Sequence, residues 1–186
     1  MEPKPKESVR AIRAGIAEGA NHIDTAEMYG SDRVEEIVGE AIKGLRDKVF
    51  IVSKVLPSNA DAKNTILACE RSLKHLRIDY LDVYLLHWRM GQTPLEETFR
   101  AFDKLLSDGK IRSWGVSNFS LGDMKEAVGL VGEGKIVCNQ VRYSIDERRV
   151  ESTLDTKRTR DNVRAMKLAL TSDQIRRFHL AFPENS

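Results

Sequence analysis

The sequence predicts an α/β protein built on a parallel sheet. Three observations carry this. Apolar runs suited to buried strands recur near residues 23, 52, 83, 114 and 139, a spacing of 25 to 31 residues that matches one strand-plus-helix unit per step. Stretches with helical periodicity fill the intervals between them. Polar residues capable of chemistry stand where the apolar runs stop: Asp24 after Asn21-His22-Ile23, Lys54 after Ile51-Val52-Ser53, and His87 after Tyr80 to Leu86. In parallel α/β proteins the carboxyl ends of the strands line the active site.

The elements follow in order. Ser8 to about Gly19 reads as a helix with Val9, Ile12, Ala14 and Ile16 mostly on one face, and Ile23 to Thr25 as a short strand. Asp32 is placed to cap a helix running to Leu45, with Glu35 in capping-box position. Val49 to Val55 is rich in β-branched residues and reads as a strand. Asp61 caps the next helix, which ends near Leu76, and Tyr80 to Leu86 is the clearest buried strand. Thr93-Pro94-Leu95-Glu96 combines a cap, an N1 proline and an N3 glutamate, so a helix is expected to start there and to stop at Gly109. Ile111 to Val116 is a strand, Ser120 caps a helix that ends near Gly129, Gly132 and Gly134, and Ile136 to Val141 is a further strand. Thr171-Ser172-Asp173-Gln174 is a capping box for a last helix reaching Phe182.

Repeated βα units mean a parallel sheet covered by helices. An open doubly wound sheet and a (β/α)8 TIM barrel both satisfy that description. No glycine-rich fingerprint follows any strand, which weakens the open dinucleotide-binding sheet. Chemically capable residues at several strand ends favour the barrel. A closed barrel needs eight strands and typically about 250 residues. Five strands are legible in these 186 residues, and the rhythm stops after Val150, so the barrel is incomplete as it stands.

Composition narrows the function. With 41% hydrophobic and 31% charged residues the chain suits one domain with a sizeable core, taken here as residues 1–186. Thirty basic and 28 acidic residues leave a net charge of +2, and no basic block suggests nucleic acid as a partner. No run approaches the roughly 20 apolar residues of a membrane span, and the start lacks the apolar stretch of a signal peptide. The cytoplasm is therefore the default location, and a monomer or weak oligomer the default state. Cys69 and Cys138 are far apart, lack metal or redox spacing, and read as small buried hydrophobes.

The strand-end residues form a chemical set. A tyrosine, with an ordinary pKa of about 10, gives up its proton reluctantly at neutral pH. An ammonium beside it stabilises the phenolate. Lys54 can supply that ammonium, Asp24 can hold Lys54 in place, and His87 can hydrogen-bond and orient a carbonyl oxygen. Tyr29, in the turn after Asp24, then serves as a general acid aimed at a carbonyl. This suits hydride reduction of an aldehyde or ketone, and because no side chain carries hydride, a nicotinamide is required. Singly, each residue has a plain structural alternative: a loop-capping carboxylate, rim packing, or a solvated strand end. Their coincidence at three successive strand ends favours the chemistry. A metal-dependent hydrolase would have only His87 and scattered carboxylates for ligands.

The motifs resemble those of the aldo-keto reductases. Asp24-Thr25-Ala26-Glu27-Met28-Tyr29-Gly30 is similar to the family's signature turn, Lys54 to the residue closing its third strand, and Leu85-Leu86-His87-Trp88 to its fourth-strand motif. The run Gly109 to Phe119 and the pair Asn139-Gln140 resemble the fifth and sixth strands. The resemblance implies a (β/α)8 barrel and NADP(H)-linked reduction of a small carbonyl substrate. It implies Asp24, Tyr29, Lys54 and His87 as the catalytic set, with Trp88 beside Tyr29 and His87 in the substrate pocket. It also implies Asp24, Ser117, Asn118 and Gln140 at the nicotinamide. Arg158, Asp161 and Asn162 would grip the adenosine end, with Arg158 favouring a 2′-phosphate. His87, where other members carry glutamate, resembles the carbonyl reductases rather than the double-bond reductases.

Two pieces of the family pattern are absent. The first strand and its hairpin should precede Ser8, and the seventh and eighth strands should lie between Val150 and Asp155. The expectation is a missing segment between about 150 and 156. The alternative reading is a non-catalytic cofactor-binding relative, or a truncated barrel without activity.

Overall fold

β2 (Phe50–Val55), β3 (Leu81–Leu86) and β4 (Ile111–Ser117) bury most of their residues because they are covered on both faces. A computed structural model describes residues 5–30, 33–91, 93–142 and 144. In it these strands form the middle of a five-stranded, wholly parallel sheet. β1 (His22–Asp24) lies on one edge and β5 (Asn139–Gln140) on the other, in the order β1-β2-β3-β4-β5. The strands are linked by helices α1 (Pro5–Ala17), α2 (Arg33–Ala41), α3 (Ala62–Leu76), α4 (Leu95–Ser107) and α5 (Leu121–Val131), with α1 preceding β1. This is the arc of a (β/α)8 barrel, incomplete among the described residues.

Strand alternation separates two faces. Ile51, Val55, Tyr84, Leu86, Trp114 and Val116 point outward into the main core beneath the helices. Val52, Val83 and Leu85 form a smaller apolar cluster on the opposite face. The register pairs Lys54 with Leu85 and Leu85 with Gly115, so Lys54 continues that second face toward the carboxyl ends. α4 buries Leu95, Thr98, Phe99, Phe102 and Leu105, a three-and-four spacing along one side. Trp114 stacks on Phe99 at 5.0 Å and packs against Phe102 at 5.4 Å. Each such large apolar side chain, when buried, contributes about 1.5–3 kcal/mol.

Local signals set several boundaries. Asp61 caps α3, accepting from the Lys63 and Asn64 amides, and Arg77 closes it in the left-handed region at φ 56°. Ser120 and Asp123 form a full capping box at α5.

Other boundaries differ from the sequence expectation. α4 begins at Leu95 with Pro94 in the cap position and no side-chain cap. Pro94 is extended, at φ −58° and ψ 133°, so Thr93 lies one residue too far out to reach the helix amides. The expected box is therefore not formed. α2 ends at Ala41 rather than Leu45, because a turn with Gly44 at φ 76° and a 3-10 turn at Arg46–Lys48 lead into β2. Ala14 is exposed; Ser8, Val9, Ile12, Gly15 and Ile16 are the half-buried face of α1.

β5 is shorter than Ile136 to Val141. Its approach still bonds to β4, Val137 N donating to Trp114 O at 3.1 Å and Val116 N to Cys138 O at 3.0 Å. Cys138 itself is exposed, unlike Cys69, which is fully buried. Cys138 stands on the sheet edge, where no neighbouring strand among the described residues covers it. Asp32, the 150–156 segment, Arg158, Asp161, Asn162 and the helix expected over Thr171–Phe182 lie outside the described residues.

Candidate active site

The carboxyl end of the sheet gathers the polar residues. Asp24 is the last residue of β1. Lys54 is the penultimate residue of β2, and His87 directly follows β3. Lys54 is 1% exposed although charged. A buried ammonium needs partners, and it has two: Nζ donates to Asp24 Oδ2 at 2.7 Å and to Thr25 O at 2.9 Å. Asp24 remains partly open to solvent, and its Oδ1 accepts from Gln140 Nε2 at 3.0 Å. That bond links the two edge strands of the sheet.

Tyr29 sits in the turn after β1, closed by Tyr29 N donating to Ala26 O at 3.0 Å. Its half-buried ring stands 5.2 Å from Lys54 Nζ and meets the His87 ring edge-on at 5.7 Å between centroids. His87 is buried; its amide donates to Val55 O, and its ring packs against Trp88 at 4.7 Å. Burial, and then the nearby Lys54 ammonium, hold the His87 pKa below the ordinary 6.5, with Asp24 opposing them. His87 Nδ1 is buried without a hydrogen-bond partner among the described residues.

Ser117, Asn118 and Gln140 come together beside this group. Asn118 adopts φ 57°, which turns the chain sharply after β4. Its Nδ2 donates to His87 O and to Ser117 Oγ, each at 3.0 Å, and its amide donates to Gln140 O at 2.9 Å. Ser117 Oγ donates to the same Gln140 carbonyl at 2.8 Å. The side-chain oxygens of Asn118 and Gln140 accept no hydrogen bond among the described residues. They are therefore free to receive an amide N–H₂, the donor a nicotinamide carboxamide presents.

Of the sequence-predicted site residues, Asp24, Tyr29, Lys54, His87, Trp88, Ser117, Asn118 and Gln140 lie on this end of the sheet. Arg158, Asp161 and Asn162 lie outside the described residues. Of the remaining histidines, His22 stacks on Phe50 at 5.3 Å and His75 lies 3.9 Å from Glu35, both away from the site.

Sequence reasoning missed two supports. Asn139 braces the turn by accepting from Phe119 N and donating to Phe119 O. Glu27, 6% exposed, accepts from Leu56 N, Asn59 Nδ2 and Arg71 Nη2. Nothing in the spacing distinguishes either from a surface polar residue.

The arrangement combines a parallel barrel arc with a carboxylate, ammonium, phenol and imidazole at its carboxyl end. Comparison with known proteins agrees with it. The model of the Aldo/keto reductase family matches residues 2–166. Methylglyoxal reductase YeaE of Escherichia coli is 52% identical over 149 residues, covering 80% of this chain and 52% of that protein. Glyoxal reductase of Bacillus subtilis is 41% identical over 140 residues, covering 74% and 49%. The solved structure of an aldo-keto reductase from Klebsiella pneumoniae in complex with NADPH superimposes with a TM-score of 0.75 at 50% identity, covering 79% of this chain and 51% of that one. The chain belongs to the aldo/keto reductase family. It spans about half the length of the curated relatives it matches.

Proposed function

We propose that this chain carries the proton-delivery site of an NADP(H)-dependent reductase that converts an aldehyde or ketone to the alcohol. The observation that carries this reading is the Asp24–Lys54 pair held at 2.7 Å with the Tyr29 ring 5.2 Å from the ammonium and His87 edge-on to it. The relatives' names, methylglyoxal reductase and glyoxal reductase, support small α-oxoaldehydes as the substrate class. The complex of the Klebsiella pneumoniae relative supports NADPH as the cofactor. Ser117, Asn118, Gln140 and Asp24 are the residues here that would hold its nicotinamide end, and Arg158, Asp161 and Asn162 its adenosine end. When bound, NADPH supplies the hydride.

The chain's own residues handle the proton and the developing charge. The carbonyl oxygen is received between Tyr29 and His87, against Trp88. Tyr29 donates its hydroxyl proton to that oxygen as negative charge builds there. The Lys54 ammonium stabilises the charge left on the tyrosine oxygen, and Asp24 keeps the ammonium aimed. His87, neutral at pH 7 because its pKa is held down, orients the carbonyl. We assign its proton to Nε2, because Nδ1 is buried with no acceptor among the described residues to receive an N–H.

The reading includes residues 1–186 as a single barrel-type domain, cytoplasmic, and a monomer or weak oligomer. No helix among the described residues is long and apolar enough to cross a membrane. The test is NADPH oxidation with methylglyoxal, comparing the chain with Tyr29→Phe. The substitution should lower kcat about 10²–10⁴-fold and leave NADPH affinity unchanged. Activity that survives it removes Tyr29 as the acid.

A further inference from the structure

The Tyr29 side chain is held by ring contacts rather than by hydrogen bonds among the described residues. Its hydroxyl makes no hydrogen bond among the described residues, its ring is only half-buried, and Met28 before it is 44% exposed. The backbone of its loop follows the end of β2, with Thr25 N donating to Val52 O at 2.9 Å and Glu27 N to Lys54 O at 3.3 Å. The second of these is long.

Two residues before the tyrosine, the Glu27 side chain crosses to the segment after β2. Oε1 accepts from Leu56 N at 2.5 Å and from Asn59 Nδ2 at 3.1 Å. Oε2 accepts from Asn59 Nδ2 at 3.1 Å and from Arg71 Nη2, on α3, at 2.9 Å. The Glu27 side chain is 5% exposed and that of Arg71 48%. One buried carboxylate thus ties the Tyr29 loop to the 3-10 turn Pro57–Asn59 and to α3. The charge is matched by a partner that reaches solvent, and the remaining acceptor capacity is used by a main-chain amide whose position is set by β2. Lys54, two residues before Leu56, belongs to the same rigid piece. Glu27 therefore connects the tyrosine's loop to the strand that carries the ammonium.

We propose that Glu27 is a positioning residue for Tyr29: its carboxylate, held by Leu56 N, Asn59 and Arg71, sets the distance of the tyrosine ring from Lys54 and His87. This rests on Tyr29 being the acid. A misplacement of about 1 Å at a reacting group costs on the order of 10²-fold in rate.

The experiment compares Glu27→Ala and Glu27→Gln in the full chain by steady-state carbonyl reduction and by fluorine NMR. The chain has four tyrosines, and 3-fluorotyrosine labelling with the Tyr29→Phe variant assigns the Tyr29 signal. Glu27→Ala should lower kcat about a hundredfold with KM within about threefold, and shift the Tyr29 resonance toward that of a solvent-exposed ring. Glu27→Gln keeps an acceptor for Leu56 N and should recover most of both. A folded Glu27→Ala with unchanged kcat and an unshifted resonance overturns the proposal.

Should Glu27→Ala not fold, Arg71→Ala removes only the half-exposed donor and carries the test. A smaller resonance shift of the same sign supports the proposal, and no shift overturns it. If Tyr29→Phe retains full activity, the acid assignment fails, while the resonance in Glu27→Ala still reports whether Glu27 positions the ring.

Discussion

Removing either member of the Asp24–Lys54 pair should end catalysis, but the two losses should differ in stability. Lys54 is 1% exposed and Asp24 34%, so the ammonium is the buried charge and the carboxylate its solvent-facing partner. Breaking a fully buried pair costs about 3–5 kcal/mol, because one charge is left uncompensated in the interior. In Asp24→Ala the ammonium keeps only Thr25 O, yet water can enter where the carboxylate stood. That screening reduces the cost to about 2 kcal/mol.

Lys54→Met removes the buried charge itself. Its stem continues the apolar face of Val52, Val83 and Leu85; Asp24 Oδ1 keeps its bond from Gln140, and Thr25 O and Asp24 Oδ2 lose a donor, the latter on a side chain that water reaches. This costs about 1 kcal/mol or less. Urea unfolding at pH 7, followed by circular dichroism, should place the Asp24→Ala midpoint about 0.5 M below that of Lys54→Met, for a slope near 2 kcal/mol per molar. A lower midpoint for Lys54→Met would refute the reasoning, since the carboxylate would then be the costlier group to leave alone.

Three further outcomes follow from other contacts. His87 has a folded pKa below its ordinary 6.5, so between the two values the unfolded chain binds more protons. Stability should therefore fall as pH drops from 7 through 6.5 toward the folded value, and His87→Gln should flatten that slope in denaturation measured at pH 5 and 7. In Gly115→Ala the added Cβ would lie 2.6 Å from Cys138 O and 3.1 Å from Leu85 Cδ2. It should cost about 1–3 kcal/mol and, by pushing β5 from β4, weaken NADPH binding in a fluorescence titration; an unchanged Tm would count against the close approach. Tyr84 is fully buried, its hydroxyl has no partner among the described residues, and burial pushes its pKa well up. Tyr84→Phe should be neutral or stabilising by up to about 1 kcal/mol in thermal unfolding, and a loss above that would reveal a partner for the hydroxyl.

The parallel sheet, the five strands and the strand-end positions of Asp24, Lys54 and His87 were legible in the sequence by itself. Those signals are local: a period-two or 3.6-residue pattern, or a cap such as Asp61 or Ser120. What only the tertiary structure decided is which polar residues meet. Glu35 reads as a first-turn carboxylate suited to a helix start, yet it is 1% exposed and accepts from Ser53 Oγ at 2.6 Å, because β2 lies against that side of α2. Cys138 reads as buried but is exposed, since burial at an edge depends on the neighbouring strand. Glu27 stands in the motif turn of the sequence, but nothing local shows what it holds, since its partners Leu56, Asn59 and Arg71 are 29 to 44 residues away. The pattern of apolar residues carries the fold, whereas the pairing of buried charges is settled only when distant strands and helices are brought together.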